Sequence, residues 1–276
     1  SGMTGGFKGA ENVNKSLAQV AQEYNIPLGV GSIRAMIEKP ELTHTYDVKK
    51  EYDIFLIANI GGAQLLQLPM ERIIDAYNAL EADALAIHLN PAQELIQKEG
   101  DLHWEGVEQK IKEIAEELPV IVKEVGSGIS GEVAKRLKDS KVRYVDVAGA
   151  GGTSWTKIEY LRYQDTPAGF ENWGIPTALA ILQVKEYFPV WASGGIRSGI
   201  DGAKAIMLGA QVFGMAQPFL KAHTEGNLQQ LMDTLIWQLK GTMFLTGSKN
   251  IEALGKAPYI LLGWLKDAAQ ARSGLP

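Results

Sequence analysis

One pattern limits this chain more than any other: a short apolar run that ends in glycine or polar residues, then an amphipathic helix, then the same again. The runs are PLGVGS (27–32), IFLIANIGG (54–62), ALAIHLN (84–90), VIVKEVG (120–126), YVDVAGAGG (144–152), VWASGG (190–195) and VFGMAQ (212–217). Their starts lie roughly 25–45 residues apart, the size of a βα unit. Between them Leu17, Val20, Ala21 and Tyr24 recur at helical spacing, as do Ile73, Ile74, Tyr77 and Leu80, and Val107, Ile111, Ile114 and Leu118. Pro69 and Pro176 stand where a first helical turn accepts proline, and Ser130 is placed to cap a helix near Val133.

Apolar strands alternating with helices mean a parallel sheet covered on both faces. Seven strands are counted, and SGMTGG (1–6) reads as the frayed end of an eighth, first one. Eight strands close a (β/α)8 barrel. The expected fold is therefore α/β: a (β/α)8 TIM barrel over residues 1–276 as a single domain, with its first strand largely truncated. The 46-residue step from Tyr144 to Val190 is too long for one helix, so an insertion, TSWTKIEYLRYQDTPAGFENWG, should follow the sixth strand. Beyond Phe219 extra C-terminal helices are expected, including LQQLMDTLIWQL.

Composition removes whole classes of function. Net charge is 27 − 32 = −5, so no general positive field recruits nucleic acid or an anionic membrane. With no cysteine, disulfides, thiolate metal sites, Fe–S clusters and cysteine nucleophiles are excluded; this fits a reducing, cytoplasmic setting. No apolar run reaches the roughly 18 residues of a membrane span. SGMTGG already looks like a strand end, so a native segment before it is expected.

In a barrel of this kind, catalytic groups sit at the C-terminal ends of strands and on the loops that follow. Here those ends carry Ser32 and Arg34, Asn59, His88 with Asn90, Lys123 with Glu124, Asp146, Ser193 and Gln217. Solvent alone would also make strand ends polar, but Lys123 and Glu124 extend an unbroken apolar run and should point partly inward. ASGGIRSG (192–199) and GMAQP (214–218) close the last two strands, where such barrels commonly bind phosphate on bare backbone N–H groups. Arg197 could add a fork of donors; the plainer reading is a glycine turn beside a solvent arginine. A competing signal is G-x-G-x-x-G at Gly126, Gly128 and Gly131, with Asp146 twenty residues beyond Gly126, as in a dinucleotide-binding Rossmann unit. Four strand–helix units precede it, so Asp146 is expected to face the interior or support a neighbour instead.

Together these segments resemble the type II isopentenyl diphosphate isomerases, FMN-dependent barrel enzymes. The match runs through MTGG (3–6), GVGSIR (29–34), ANIGG (58–62), IHLNPAQE (87–94), QKEGD (97–101), VKEVGSGIS (122–130), DVAGAGGTSW (146–155), WGIPT (173–177), SGGIRSG (193–199) and GMAQP (214–218). The resemblance implies interconversion of isopentenyl and dimethylallyl diphosphate in isoprenoid biosynthesis, with FMN, Mg²⁺ and, to reduce the flavin, NADPH. It implies that Met3, Thr4, Ser32, Asn59, Lys123 and Thr153 hold the flavin ring and ribityl chain. Gly195, Ile196, Arg197, Ala216 and Gln217 would hold its phosphate. Ser32, Ile33, Arg34, His88, Asn90 and Gln93 would bind substrate and Glu94 the metal, with His88, Asn90 and Trp155 beside the reacting alkene and His88, Gln93 and Trp155 as the catalytic residues. A homo-oligomer, tetramer or octamer, is implied as well.

The chemistry suits these residue types. Moving a double bond by one carbon passes through a tertiary cation, which needs nearby electron density and no water; the resemblance implies that a reduced flavin supplies both density and proton. Lys123 beside the ring would favour its anionic reduced form. Glu94 is a hard oxygen ligand suited to Mg²⁺, and Arg34 can grip phosphate with two donors. Taken singly, His88 reads as a core histidine, Glu94 as first-turn helix decoration and Trp155 as packing within the insertion. His44, His103 and His223 read as surface.

The sequence departs from the family at Ile33, where glutamine is common, and at Ala148, where a serine often contacts the flavin. The family's basic N-terminal segment, which helps close over the diphosphate, is not in this sequence. Cysteine-dependent nucleotide dehydrogenases are excluded, and 2-hydroxy acid oxidases use a histidine that 146–155 lacks. A flavin- or phosphate-binding protein without turnover is the alternative from another class.

Overall fold

The computed structural model describes residues 1–163 and 169–271. Residues 164–168 of the expected insertion lie outside the described residues. The chain divides into two compact units, one of Ser1–Lys123, Asp139–Arg143 and Ala216–Leu231, the other of Glu124–Lys138, Tyr144–Met215 and the residues from Met232 on.

In the first unit the strands are β1 (Leu28–Ser32), β2 (Leu56–Gly61), β3 (Ala84–Leu89) and β4 (Val120–Glu124), which ends at the division. They lie side by side in chain order, with β1–β2 and β2–β3 parallel. The helices between them are α1 (Ala10–Tyr24), α2 (Arg34–Glu38), α3 (Gln64–Gln67), α4 (Met70–Ala79), α5 (Pro91–Ile96) and α6 (Val107–Glu117). All six residues of β2 are buried, as the near-continuous apolar run requires of a strand covered on both faces. Leu56, Ile60, Leu85 and Ile87 are fully shielded, each stabilising by about 1.5–3 kcal/mol. That burial offsets the cost of the polar groups at the strand ends.

The second unit holds α7 (Gly131–Leu137), β5 (Tyr144–Asp146), α8 (Trp155–Tyr163), α9 (Thr177–Val184), β6 (Val190–Ala192), α10 (Gly199–Leu208) and β7 (Ala210–Phe213), again parallel in chain order. Then come α11 (Gln217–Glu225), counted with the first unit, α12 (Leu228–Leu245), α13 (Ile251–Gly255) and α14 (Gly263–Ala271). The fold is of the (β/α)8 TIM-barrel type. The tail is helical as expected, and the insertion carries α8.

The differences from expectation are local. SGMTGG forms no strand; it is joined to β1 by the Gly31 N–H, which donates to the Thr4 carbonyl at 2.7 Å. The last strand spans 210–213 rather than 212–217, and the runs at 144–152 and 190–195 leave the ladder after three residues each. Their glycines turn the chain out: Gly151, Gly194 and Gly195 have φ of +156°, +102° and +77°. Pro69 and Pro176 occupy the capping position just before α4 and α9. Ser130 caps α7 as expected, its Oγ accepting from Val133 N–H at 3.2 Å.

Candidate active site

Register brings the polar strand ends of the first unit together. Ser32 of β1 lies level with Asn59 of β2, and Gly61 level with His88 of β3. His88 Nδ1 and Asn59 Oδ1 are 3.0 Å apart. Burial first, and the Lys123 ammonium second, push the His88 pKa down to about 3. The imidazole is therefore neutral near pH 7. An amide oxygen can only accept, so Nδ1 carries the proton and Nε2 keeps a bare lone pair. Gly61 is needed here, because a Cβ would come within 3.0 Å of Nε2 and 1.9 Å of Gln64 Oε1. Lys123 is only 9% exposed, and Asn59 6%.

A second cluster follows β3. The Asn90 amide donates to Glu94 Oε1 at 2.9 Å and to Gln93 Oε1 at 3.3 Å. Glu94 Oε2 accepts the Asp101 N–H at 2.9 Å. The helix explains the grouping: Asn90 precedes α5, and Gln93 and Glu94 follow at one helical turn. Asn90 is 5% exposed, and its Oδ1 is buried with no partner. A buried carbonyl oxygen left unmet costs free energy unless a ligand or water completes it.

Other expected residues of this unit are placed differently. Ile33 is fully buried, and its N–H and carbonyl are spent on Asn59, Met36 and Ile37, so it contributes shape. Arg34 is exposed, its Nε 2.6 Å from Glu38 one turn on in α2. Met3 is exposed and Thr4 buried. Ala216 precedes α11 and Gln217 opens it, exposed. His44 and His103 are exposed, and His223 is half-buried in α11.

In the second unit the distinctive feature is backbone. Gly149–Gly152 and Gly194–Gly195 run against each other, and a Cβ on Gly194 would lie 2.2 Å from the Gly149 carbonyl oxygen, one on Gly195 2.3 Å from that of Gly151. Thr177 Oγ donates to the Gly194 carbonyl at 2.6 Å, and Arg197 Nη1 reaches the carbonyls of Gly151 and Gly195, each at 3.2 Å. Ile196 is buried and Arg197 exposed; Thr153 and Trp155, the first residue of α8, are half-buried. Ala148 holds a left-handed φ of +36° in this same loop region.

The dinucleotide-like glycines are otherwise engaged. Glu124 Oε2 accepts backbone N–H groups from Val125 and Gly126, both at 2.6 Å, from Ser127, and from Gly128 at 3.1 Å. The nest that would take a phosphate in a Rossmann loop holds the chain's own carboxylate. Asp146 is equally committed: its Oδ1 accepts the Ser193 hydroxyl at 2.8 Å and the Ser193 and Ala148 N–H groups at 3.0 and 3.2 Å. It supports a neighbour, as expected of it.

Sequence reasoning missed Asn14 and Tyr46. Asn14 lies in the buried row Ala10–Asn14–Ala18 of α1, where one amide among alanines four apart was the available signal; the expected stripe members Leu17 and Tyr24 are only half-buried.

Residues 59–260 match the model of the FMN-dependent dehydrogenase family. Isopentenyl-diphosphate delta-isomerases of Thermococcus onnurineus and Pyrobaculum islandicum are 41% and 44% identical, over 100% and 96% of this chain and 79% and 80% of their own lengths. The chain belongs to the FMN-dependent isopentenyl-diphosphate delta-isomerases. That of Pyrococcus furiosus is 40% identical over 100% of this chain and 75% of its own. Among solved structures, a mandelate oxidase variant superposes with a TM-score of 0.61 at 14% identity, covering 90% of this chain and 74% of that one, a likeness of fold.

The residues present suit FMN. Gly151 and Gly152 are exposed and Gly194 and Gly195 half-buried, so glycine backbone is open to a phosphate there, and a buried lysine suits an anionic ring. Among the described residues no three His, Cys, Asp or Glu side chains group as a metal site.

Proposed function

We propose that this chain interconverts isopentenyl diphosphate and dimethylallyl diphosphate with reduced FMN and Mg²⁺, residues 1–276 acting as one cofactor-binding domain. The observation that carries the reading is the join of family membership to the group of buried Asn59 and Lys123 with half-buried His88. When bound, reduced FMN supplies the electron-rich surface and exchangeable proton that an alkene passing through a tertiary cation requires.

The chain's own residues set the conditions. Met3, Thr4, Ser32, Asn59, Lys123 and Thr153 hold the ring and ribityl chain; Gly195, Ile196, Arg197, Ala216 and Gln217 hold the phosphate. Lys123 stabilises negative charge on the reduced ring. His88, neutral at working pH, presents the Nε2 lone pair and no second N–H, so toward the substrate it is a hydrogen-bond acceptor and not an acid. Gln93 and Trp155 flank the alkene, and Asn90 and Ser32 contact the substrate, with Ile33 shaping the wall. Arg34 must exchange Glu38 for the diphosphate. Glu94 ligates Mg²⁺, for which one carboxylate together with substrate phosphate oxygens and water is an ordinary coordination set. NADPH would be the reductant that brings the flavin to its reduced state, the isomerisation itself having no net redox change.

A homo-oligomer, tetramer or octamer, belongs to the same reading. Support comes from the tail, where Trp237, Phe244 and Leu245 lie along one side of α12 at 74%, 83% and 84% exposure. No described helix is long and apolar enough to cross a membrane; a cytoplasmic setting is the one this chemistry suits.

Turnover of isopentenyl diphosphate with dithionite-reduced FMN and Mg²⁺ tests the proposal. Reduced holoenzyme should isomerise and oxidised holoenzyme should not, and Glu94→Gln should lose turnover while still binding FMN. Equal activity without flavin would sink the reading, and a fully active Glu94→Gln would sink the metal assignment.

A further inference from the structure

We infer that Asn14 and Tyr46, neither of them at the candidate site, are positioning residues for the cofactor, holding Thr4 and Ser32 in the shape that FMN requires. The inference deepens the proposed function and rests on its reading of those two residues.

Asn14 is fully buried on α1, and its amide is spent on the N-terminal segment. Its Oδ1 accepts the Thr4 hydroxyl at 2.5 Å, and its Nδ2 donates to the carbonyls of Thr4 at 3.2 Å and Thr45 at 2.7 Å. The Thr45 hydroxyl accepts Gly6 N–H at 2.9 Å and donates to the Leu42 carbonyl at 2.7 Å. On the other side, Gly31 N–H of β1 fills the remaining acceptor position of the Thr4 carbonyl. Tyr46, also fully buried, donates its hydroxyl to the Ser32 carbonyl at 2.7 Å. Its ring presses on Gly5, where a Cβ would lie 1.9 Å from Cε1, so MTGG can pass only as glycine.

The Gly31–Thr4 rung ties residues 1–6 to β1 on one side only. The segment is clamped between α1, β1 and Tyr46. The clamp also sets chemistry: the Thr4 proton is committed to Asn14, so toward a ligand Thr4 presents lone pairs alone. It can accept from an N–H and cannot donate to a ring nitrogen or carbonyl. Isoalloxazine carries more N–H groups reduced than oxidised, so this polarity favours the reduced cofactor.

The test titrates FMN, oxidised and dithionite-reduced, into apoprotein of the wild type, Asn14→Ala, Thr4→Val, the double variant and Tyr46→Phe, and melts each protein without FMN. Expected are an approximately tenfold loss of FMN affinity for Asn14→Ala and for Thr4→Val, larger for reduced FMN, and a double variant no weaker than the weaker single. Tyr46→Phe, which removes one hydroxyl and keeps the packing, should lose several-fold, and it carries the test if Asn14→Ala does not fold. A lower melting temperature with unchanged FMN affinity in the folded variants would overturn the inference, as would losses that multiply in the double variant. If Thr4→Val binds FMN normally while Gly195→Ala does not, the role of Thr4 fails but the flavin reading stands. A wild type that takes up no FMN would end both.

Discussion

The two units offer different materials for recognition. The first builds its candidate site from side chains: Asn59, His88, Lys123, Asn90 and Glu94, brought level by strand register and one helical turn. The second builds with backbone, in glycine loops packed too closely for any Cβ. Side chains can be tuned by their neighbours, as His88 is by burial and Lys123. Backbone cannot be retuned, only blocked. The second unit also contains its own control: the nest at 125–128 has phosphate-loop geometry, yet it holds Glu124.

The largest expected effect blocks backbone. Gly195→Ala places a Cβ 2.3 Å from the Gly151 carbonyl at a φ of +77°. FMN affinity should drop by at least about 100-fold, because strain and clash together exceed two factors of about 1.4 kcal/mol. Gly226→Ala, at φ +68° with nothing near its Cβ, carries the conformational penalty alone and should bind FMN normally. Similar losses in both would mean that the loops act only through general stability.

Next comes Glu124→Gln. Losing a buried carboxylate that accepts four N–H groups should cost on the order of 2–3 kcal/mol in urea unfolding, with little change in FMN affinity. A gain in FMN affinity would reveal the nest as a phosphate site held shut, and the contrast between the two glycine loops would collapse.

The side-chain unit should show its character in pH. His88 titrates near 3 folded against 6.5 free, so the unfolded chain binds the extra proton between those values and stability falls as pH falls through that window. Between pH 7 and 5 the loss attributable to His88 is about 2 kcal/mol, and His88→Gln should remove that portion of the acid limb. The pH profile of turnover should show no histidine step near neutrality.

The smallest effect concerns Arg34. Glu38→Gln frees the guanidinium from an exposed partner. Such pairs contribute about 0–1 kcal/mol, so KM for the diphosphate should improve by less than about fivefold and kcat should hold. A large improvement would mean that Glu38 gates the substrate.

Much of the side-chain unit was legible because period and residue type carry it. Seven apolar runs located the strand starts to within two residues, and His88 and Lys123 announced themselves as polar groups at the ends of buried strands, with Glu94 in the helix after one of them. What stayed hidden is what one dimension cannot encode. Gly126–Gly131 and Gly194–Gly195 read alike, and only the position of Glu124 separates a filled nest from an open loop. Asn14 and Tyr46 lie far in sequence from the residues they hold, and an amide on a helix face does not say what it bonds. The glycine-rich strand ends ran long in the reading because their apolar character continues after positive φ has taken the chain out of the ladder.

Calorimetric titration of apoprotein with FMN and with riboflavin tests the division of labour most directly. Wild-type protein should prefer FMN by at least about 100-fold, the equivalent of roughly 3 kcal/mol. Gly195→Ala should erase that preference, whereas His88→Gln should preserve it. Equal affinity for the two flavins in the wild type would contradict the account.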